Sequence, residues 1–376
     1  MNTLKNKSTM CGACLKAMPL AIVLATGAAH AEDASSMFSY SGFGTIGATH
    51  SSSKDGDYVG TLYQTSGTGA TRAWDMGVDS KLGVQVNAKF TDQFSAVVQV
   101  IAMDRTNNTF GPRFEWANLQ YAITPDLKVR VGRTALPTFM VSDTRMVGYS
   151  NPWIRPPLET YSVEPLTNVD GVDVSYKARI GSLINTVQVY DGKTSIDVVA
   201  GSGQIVRGIT SQQLQGIDDS VEIGALTARI GYSRSNIGLD LAPGYAISVA
   251  SKLINIGAIY DPGNWFVQGE YSRSELPGLT PTEKAYYLTG GYRVGNFTPY
   301  ATYAKVTPEQ SIAALSQEQK TVSVGLRWDA MKNTDVKLQW DRVSLGSGNT
   351  GFFTNVQPAL AGSTVNVVSV AVDFVF

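Results

Sequence analysis

Residues 82–90 read Leu-Gly-Val-Gln-Val-Asn-Ala-Lys-Phe, so that an apolar side chain occupies every second position. This period of two places apolar and polar side chains on opposite faces of a β-strand. The pattern recurs along the chain in runs of about ten residues, whereas strands of soluble proteins average about five or six. The sequence therefore predicts an all-β chain with long strands. The clearest further runs are 127–131, 226–233, 265–271, 322–328, 336–340 and 368–376.

The links between these runs alternate between short and long. The short links carry the Gly, Pro, Asn and Asp residues that tight turns require. Seven short and eight long links predict sixteen antiparallel strands, with both chain ends on the side of the short turns. The short links are 91–92, 124–126, 179–181, 224–225, 261–264, 295–296 and 332–334. The long links lie near 51–80, 103–112, 134–169, 191–216, 236–247, 273–284, 306–319 and 345–363.

The first 31 residues have the composition of a cleaved signal peptide. They contain three lysines and no acid, then an apolar stretch over 17–29, and they end in Ala29-His30-Ala31. A basic region, a short apolar region and small residues at the cleavage site define such a leader. Cleavage after Ala31 would leave a single domain over residues 32–376, with 27 bases, 31 acids and a net charge of −4.

The composition of this mature chain excludes several classes of protein. Both cysteines, Cys11 and Cys14, lie in the leader, so we expect no disulfide, no cysteine zinc site and no thiol nucleophile. His50 is the one remaining histidine, which nearly rules out a catalytic triad or a histidine metal cluster. The chain has no block of basic residues, which argues against nucleic acid as a partner. We expect no enzymatic activity, metal or cofactor.

Two all-β architectures fit the strand pattern. A soluble β-sandwich has shorter strands, and its turns have no reason to sort by length. A transmembrane β-barrel needs strands of about 9–11 residues, an even strand number, short periplasmic turns and long outer loops. Its lipid-facing rows also end in aromatic residues, and the sequence has aromatics beside its short turns. We therefore predict an antiparallel transmembrane barrel of about sixteen strands. The flanking aromatics are Tyr260, Trp265, Tyr292, Phe297, Trp328 and Phe374.

Four segments resemble the Gram-negative porin family through their order and spacing. They are 38–47 (Phe-Ser-Tyr-Ser-Gly-Phe-Gly-Thr-Ile-Gly), 114–121 (Phe-Glu-Trp-Ala-Asn-Leu-Gln-Tyr), 128–133 (Lys-Val-Arg-Val-Gly-Arg) and the terminal Phe376. The resemblance implies a homotrimer in the lipids of a Gram-negative outer membrane, passing ions and small hydrophilic solutes by passive diffusion. It also implies that Phe376 is the signal that the barrel-assembly machinery reads during insertion.

The link 134–169 is the candidate functional element, because its 36 residues are too many for an idle connection. The resemblance implies that it folds into the lumen as a constriction loop, although its five prolines depart from the enterobacterial pattern. Phe139, Tyr149 and Trp153 would hold it against the wall. Acids facing bases across a narrow gap create a transverse field. The candidate constriction residues are Lys128, Arg130 and Arg133 on the wall and Asp143, Glu159 and Glu164 on the loop.

Strand parity predicts a lumen of nearly balanced charge and therefore weak ion selectivity. The same charges fit a second interpretation, in which they form salt bridges that fasten the loop. Eight bases and six acids face inward by parity. They are Lys89, Lys128, Arg130, Lys177, Arg229, Arg293, Arg327 and Lys337, and Asp173, Glu222, Glu270, Asp329, Asp341 and Asp373.

Two other functions stay open at this stage. A solute-selective porin would show a ladder of one residue type along the lumen, and none is clear in the sequence. An outer-membrane barrel enzyme would need His50 beside a serine or aspartate, which the sequence cannot place, and an adhesin remains a further alternative.

Overall fold

The computed structural model describes residues 37–242, 245–310 and 316–376, so the predicted leader lies outside the described residues. Their strands form one closed antiparallel sheet. The strands are β1 Phe38–Ser51, β2 Trp74–Asp75, β3 Lys81–Lys89, β4 Phe94–Met103, β5 Pro112–Ala122, β6 Leu127–Ala135, β7 Asn168–Ile180, β8 Leu183–Val199, β9 Ile205–Ile223, β10 Leu226–Ala242, β11 Tyr245–Tyr260, β12 Trp265–Glu275, β13 Glu283–Tyr292, β14 Phe297–Pro308, β15 Gln319–Met331, β16 Thr334–Leu345 and β17 Thr364–Val375.

Within residues 37–242, 245–310 and 316–376, helical structure is confined to three single turns in the long links. They are the α-helix α1 Leu158–Tyr161 and the 3-10 turns Gly148–Ser150 and Pro358–Leu360. Across the described ranges, no helix has the length and apolar character needed to cross a membrane.

The sheet closes because the first strand pairs with the last. β1 pairs with β17 from Phe43 opposite Val375 onward, and its other edge pairs with β3 from Phe38 opposite Ala88. The two-residue β2 pairs with β1 at Thr49 and His50, near the long links, and is too short to cross the wall. The wall therefore consists of sixteen long strands. Closure gives every long strand two neighbours and leaves no free edge, as the interior of a bilayer requires. The predicted strand number and antiparallel order are confirmed.

The two faces of the wall differ as the sequence alternation predicts. In β17, Ser369 and Asp373 are fully buried inside the barrel, whereas Val370 faces outward with 40% of its surface exposed. Two rows of exposed outward aromatics border the apolar band, and such girdles lie at the two membrane interfaces. The lower girdle, beside the short turns, is Tyr260, Trp265, Tyr292, Phe297 and Trp328. The upper girdle, nearer the long links, is Tyr232, Tyr271, Tyr286, Tyr303 and Trp340.

Two of the predicted long links, 191–216 and 236–247, are wrong. β8 and β9 continue to Val199 and Ile205, and β10 and β11 continue to Ala242 and Tyr245, so these four strands have 16 to 19 residues. Beyond the apolar band neither face needs to be apolar, and the backbone ladder can continue through polar residues. A search for period-two hydrophobicity therefore ends such strands too early.

The C-terminal aromatics lie in two grooves that glycines leave open on β1. A Cβ atom on Gly42 would lie 2.3 Å from the Phe376 ring, and one on Gly44 would lie 2.3 Å from the Phe374 ring. The Phe376 and Gly42 backbones also exchange hydrogen bonds of 2.9 and 3.0 Å. The terminal residue therefore takes part in closing the barrel.

We expect Phe376→Ser to lower the amount of folded, heat-modifiable protein in the outer membrane, because the ring would no longer fill the Gly42 groove at the seam. Band intensity before and after heating on a denaturing gel measures this. Phe297→Ser is the control, since Phe297 is an exposed aromatic of the lower girdle that lies away from the β1–β17 seam. Equal losses in both variants would show that the terminal position has no special role.

Candidate pore constriction

The segment 136–167, between β6 and β7, lies inside the barrel. Phe139, Trp153 and Ile154 expose at most 1% of their surface. The inward-facing Arg229 of β10 donates to the Phe139 carbonyl at 3.1 Å. One side of the segment is thus packed against the wall, which leaves the remaining space of the lumen on its other side.

Aromatic side chains attach the segment to β12–β14. The Trp153 Nε1 donates to the hydroxyls of Thr289 at 3.0 Å and Thr302 at 3.2 Å. The Tyr161 hydroxyl, from α1, donates to the Glu270 carboxylate at 2.6 Å. Buried hydrogen bonds of this kind fix orientation, because an unpaired partner would remain buried without water. The expectation that aromatics hold the segment against the wall agrees with these contacts.

Arg155 is the most strongly bonded residue of the segment. Its guanidinium donates two hydrogen bonds to Asp79, at 2.8 and 2.6 Å, one to Asp341 at 3.0 Å and one to Ser369 at 2.6 Å. The guanidinium carbon Cζ of Arg155 lies 5.2 Å from the centre of the Tyr58 ring. Burial alone would raise the pKa of the Asp79 carboxyl, but Arg155 holds it below its usual value. Arg155 is therefore a fastening group whose charge two buried carboxylates compensate.

Two lumen-facing bases of the wall hold backbone carbonyls of the segment. Lys337, which is fully buried, donates to the Gly148 carbonyl at 2.7 Å and forms an ion pair with Asp373 at 2.9 Å. Arg327 donates to the Tyr149 carbonyl at 2.6 Å and lies over the Tyr149 ring. These contacts match the second interpretation of the lumen charges, in which they fasten the loop.

The three candidate bases of β6 occupy different environments. Arg130 lies on the inward face and pairs with the buried Asp173 at 2.8 Å. Lys128 lies on the same face, nearer the short turn, and is exposed. Arg133 pairs with Asp170 in the row that contains the exposed Val131 and Val172. Because position 133 differs from 130 by an odd number, it lies in the outward row. Arg133 therefore does not share the inward row of Arg130 and Lys128.

The three candidate acids of the segment also separate. Asp143 is exposed and forms no ion pair with any residue that the structure describes. Glu159 is 1% exposed, because α1 turns it toward β15, where Gln319 donates to it at 2.8 Å and Thr321 also donates. Glu164 accepts from the Leu166 amide at 3.2 Å, and burial raises the pKa of its carboxyl to about 7. Glu159 as a pore-lining acid is therefore wrong, and Asp143 is the acid that faces open space.

Sequence reasoning missed a set of neutral amides on the inward face of β3–β5. The Gln99 amide donates to Gln85 at 2.9 Å, and the Gln120 amide donates to Asn118 at 3.1 Å. These amides lie at inward-facing strand positions, as do the lumen charges counted from the sequence. A count of charges alone therefore could not reveal them, although their positions in the alternating strands could.

Comparisons with known proteins agree with this architecture. A profile of Gram-negative porins matches residues 19–351, and no curated protein matches the sequence. The anion-selective porin from Comamonas acidovorans is 13% identical, with 90% of this chain and 100% of that chain covered and a TM-score of 0.60. Salmonella typhi OmpF, in complex with daunomycin, is 13% identical, with 90% and 97% covered and a TM-score of 0.58. The trimer form of OmpT from Vibrio cholerae is 13% identical, with 91% and 100% covered and a TM-score of 0.55. At these identities the structures share the fold.

Proposed function

Because the chain belongs to the Gram-negative porin family, we propose that segment 136–167 forms the constriction of its channel. The protein is an outer-membrane barrel through which ions and small hydrophilic solutes diffuse passively. The observation that carries the proposal is the burial of the segment against one side of the wall, with Asp143 exposed on it. Sixteen strands enclose a water-filled lumen, and a fixed element inside it sets the narrowest width.

The proposed constriction has few uncompensated charges. Arg155 forms ion pairs with both Asp79 and Asp341, and Lys337 pairs with Asp373. Charges more than about 8 Å from a passing ion are largely screened at physiological ionic strength. Selectivity then depends on the Arg130–Asp173 pair, Lys128 and Asp143. We propose that these residues produce a weak preference among ions.

A channel that prefers neutral, hydrogen-bonding solutes is a second candidate function. The observation that favours it is the cluster of inward carboxamides Gln85, Gln99, Asn118 and Gln120. Each amide offers both a donor and an acceptor without adding a field. Hydroxyl-rich solutes would then pass faster than their size alone allows.

We also propose a homotrimer without enzymatic activity, exported by a leader that is cleaved after Ala31 and inserted by the barrel-assembly machinery through Phe376. The trimer form of OmpT supports the assembly. The position of His50 supports the absence of enzymatic activity. Its ring stacks on Trp74 at 4.9 Å, on the face of β1 opposite to segment 136–167. A proton-transfer role needs a partner within hydrogen-bond reach of the substrate.

Planar-bilayer recordings of the purified protein test the channel. We expect stable conductance steps and a small zero-current potential in a KCl gradient, since the charges of the proposed constriction nearly balance. Liposome swelling with sugars and with smaller amino acids distinguishes the two candidates, because simple diffusion gives rates that fall smoothly with size. Absence of conductance steps would contradict the channel, and a sugar that swells liposomes faster than a smaller amino acid would favour the second candidate.

A further inference from the structure

A tryptophan points into the lumen from the middle of β5. Trp116 lies directly opposite the inward-facing Gln99 of β4, and directly opposed residues of an antiparallel pair share one face of the sheet. Asn118 and Gln120 follow on the same strand at the same parity. The other tryptophans are either fully buried, as is Trp153, or exposed on the outside of the wall, as are Trp74, Trp265, Trp328 and Trp340.

The indole of Trp116 takes no part in holding the barrel together. It belongs to none of the hydrophobic clusters that pack inside the wall. Among the residues that the structure describes, its ring contacts no other aromatic ring and its Nε1 donates no hydrogen bond. Because the side chain is only half-buried, part of a flat apolar face and a donor stay open to the lumen.

Four carboxamides lie around this indole on β3, β4 and β5. Each uses at most two of its four donor and acceptor sites within the protein, so hydrogen-bonding capacity remains for a solute. The bonds between the amides also fix their orientation before a solute arrives. Three neighbouring strands give a surface about 10 Å wide. We call Trp116 and the four amides the Trp116 patch; the amides are Gln85, Gln99, Asn118 and Gln120.

The charges beside the Trp116 patch are compensated or buried. Arg130, which lies opposite Gln120, is paired with Asp173. Glu115, the acid next to Trp116, is 5% exposed and accepts a bond from Asn168 at 3.4 Å. An ion would therefore find no free counter-charge here, and a purely apolar solute would leave the amides without partners. The chemistry fits a neutral solute that has both an apolar face and many hydroxyl groups.

We propose that the Trp116 patch binds the pyranose rings of oligosaccharides inside the lumen, an inference that rests on the second candidate of the proposed function. The C–H face of a sugar ring would lie on the indole, and the hydroxyls at its edge would bond to the amides. A few placed polar groups beside an aromatic surface are typical of small-molecule sites. The patch is open to the lumen, so a bound sugar can leave again, as passage through a channel requires.

Single-channel currents of the purified protein in planar bilayers test this site, with cellotriose as the ring-containing probe and sorbitol as an acyclic polyol. We expect cellotriose to interrupt the current in a saturable manner, whereas sorbitol should lower it only through the viscosity of the solution. Trp116→Leu should raise the half-blocking concentration of cellotriose about tenfold, because the aromatic face is lost. Trp116→Phe keeps an aromatic face and should raise it less.

The matched control is Trp340→Leu, which makes the same substitution in the upper girdle on the outside of the barrel. It should be blocked by cellotriose as the unmodified protein is. Gln120→Leu is an independent variant if Trp116→Leu folds poorly, and it should weaken the block about threefold or more, since hydrogen bonds to the sugar are lost.

Stable ion conductance without a saturable cellotriose block would overturn this inference and leave the channel itself intact. Equal half-blocking concentrations for Trp116→Leu and the unmodified protein would also overturn it, as would an equal loss in Trp116→Leu and Trp340→Leu. Absence of any conductance step would instead contradict the channel, and the oligosaccharide site with it.

Discussion

The Arg155→Met variant is expected to lose about 3–5 kcal/mol of unfolding free energy, the cost of breaking a buried ion pair from one side. Methionine keeps much of the volume but removes every hydrogen bond to Asp79 and Asp341. Those two carboxylates are almost completely buried and would both lose the cation that pairs with them. The temperature at which the folded band disappears on a denaturing gel measures the loss.

The same substitution should change the current through the channel. Arg155 connects the segment 136–167 to Asp79 of the link before β3, to β16 and to β17. Without it, the Ile154 region keeps the 3.2 Å bond from its amide to Gln339 and the bonds of the neighbouring Trp153 to Thr289 and Thr302, but no ion pair. We expect noisier single-channel currents and a larger mean conductance, because a loosened segment blocks less of the lumen.

A triple variant separates the charge effect from the lost packing. Arg155→Met/Asp79→Asn/Asp341→Asn removes the cation together with both buried charges. It should recover most of the stability while the current stays noisy, since the bonds from Arg155 to the wall are still missing. If the single variant were as stable and as quiet as the unmodified protein, Arg155 would have no fastening role.

The barrel follows from the sequence because a sheet with one lipid face and one wet face imposes a strict period of two. That signal covers each strand only within the apolar band, which is why β8–β11 were predicted too short. Beyond the band, cross-strand hydrogen bonds hold the strands, and they leave no hydrophobic pattern.

The candidate site was predicted less completely, for a different physical reason. Parity correctly placed Arg130 and Lys337 inside, because a strand has only two faces. The partners of Arg155 were not foreseen, since Asp79 belongs to an irregular link in which position along the chain does not define direction. Glu159 was misassigned for the same reason, because only the turn of α1 directs it toward the wall.

Replacing Arg130 by glutamate should shift the zero-current potential in a KCl gradient toward cations. The substitution changes the local charge by two and places a second carboxylate beside Asp173, which now pairs with Arg130 at 2.8 Å. Charges that line a narrow passage set ion preference, whereas its width sets conductance. Conductance should therefore change by less than about twofold, as expected when charge but not width is altered.

Arg133→Glu is the matched control for this prediction. It makes the same charge change three residues further along β6, but Arg133 lies in the outward row with Val131. The control should leave the zero-current potential nearly unchanged, because Arg133 does not share the inward row of Arg130 and already pairs with Asp170. Equal shifts in both variants would mean that only net charge matters. If Arg130→Glu did not shift the zero-current potential, the narrowest point would lie away from Arg130. The proposal that Arg130 and Asp143 set the ion preference would then be wrong.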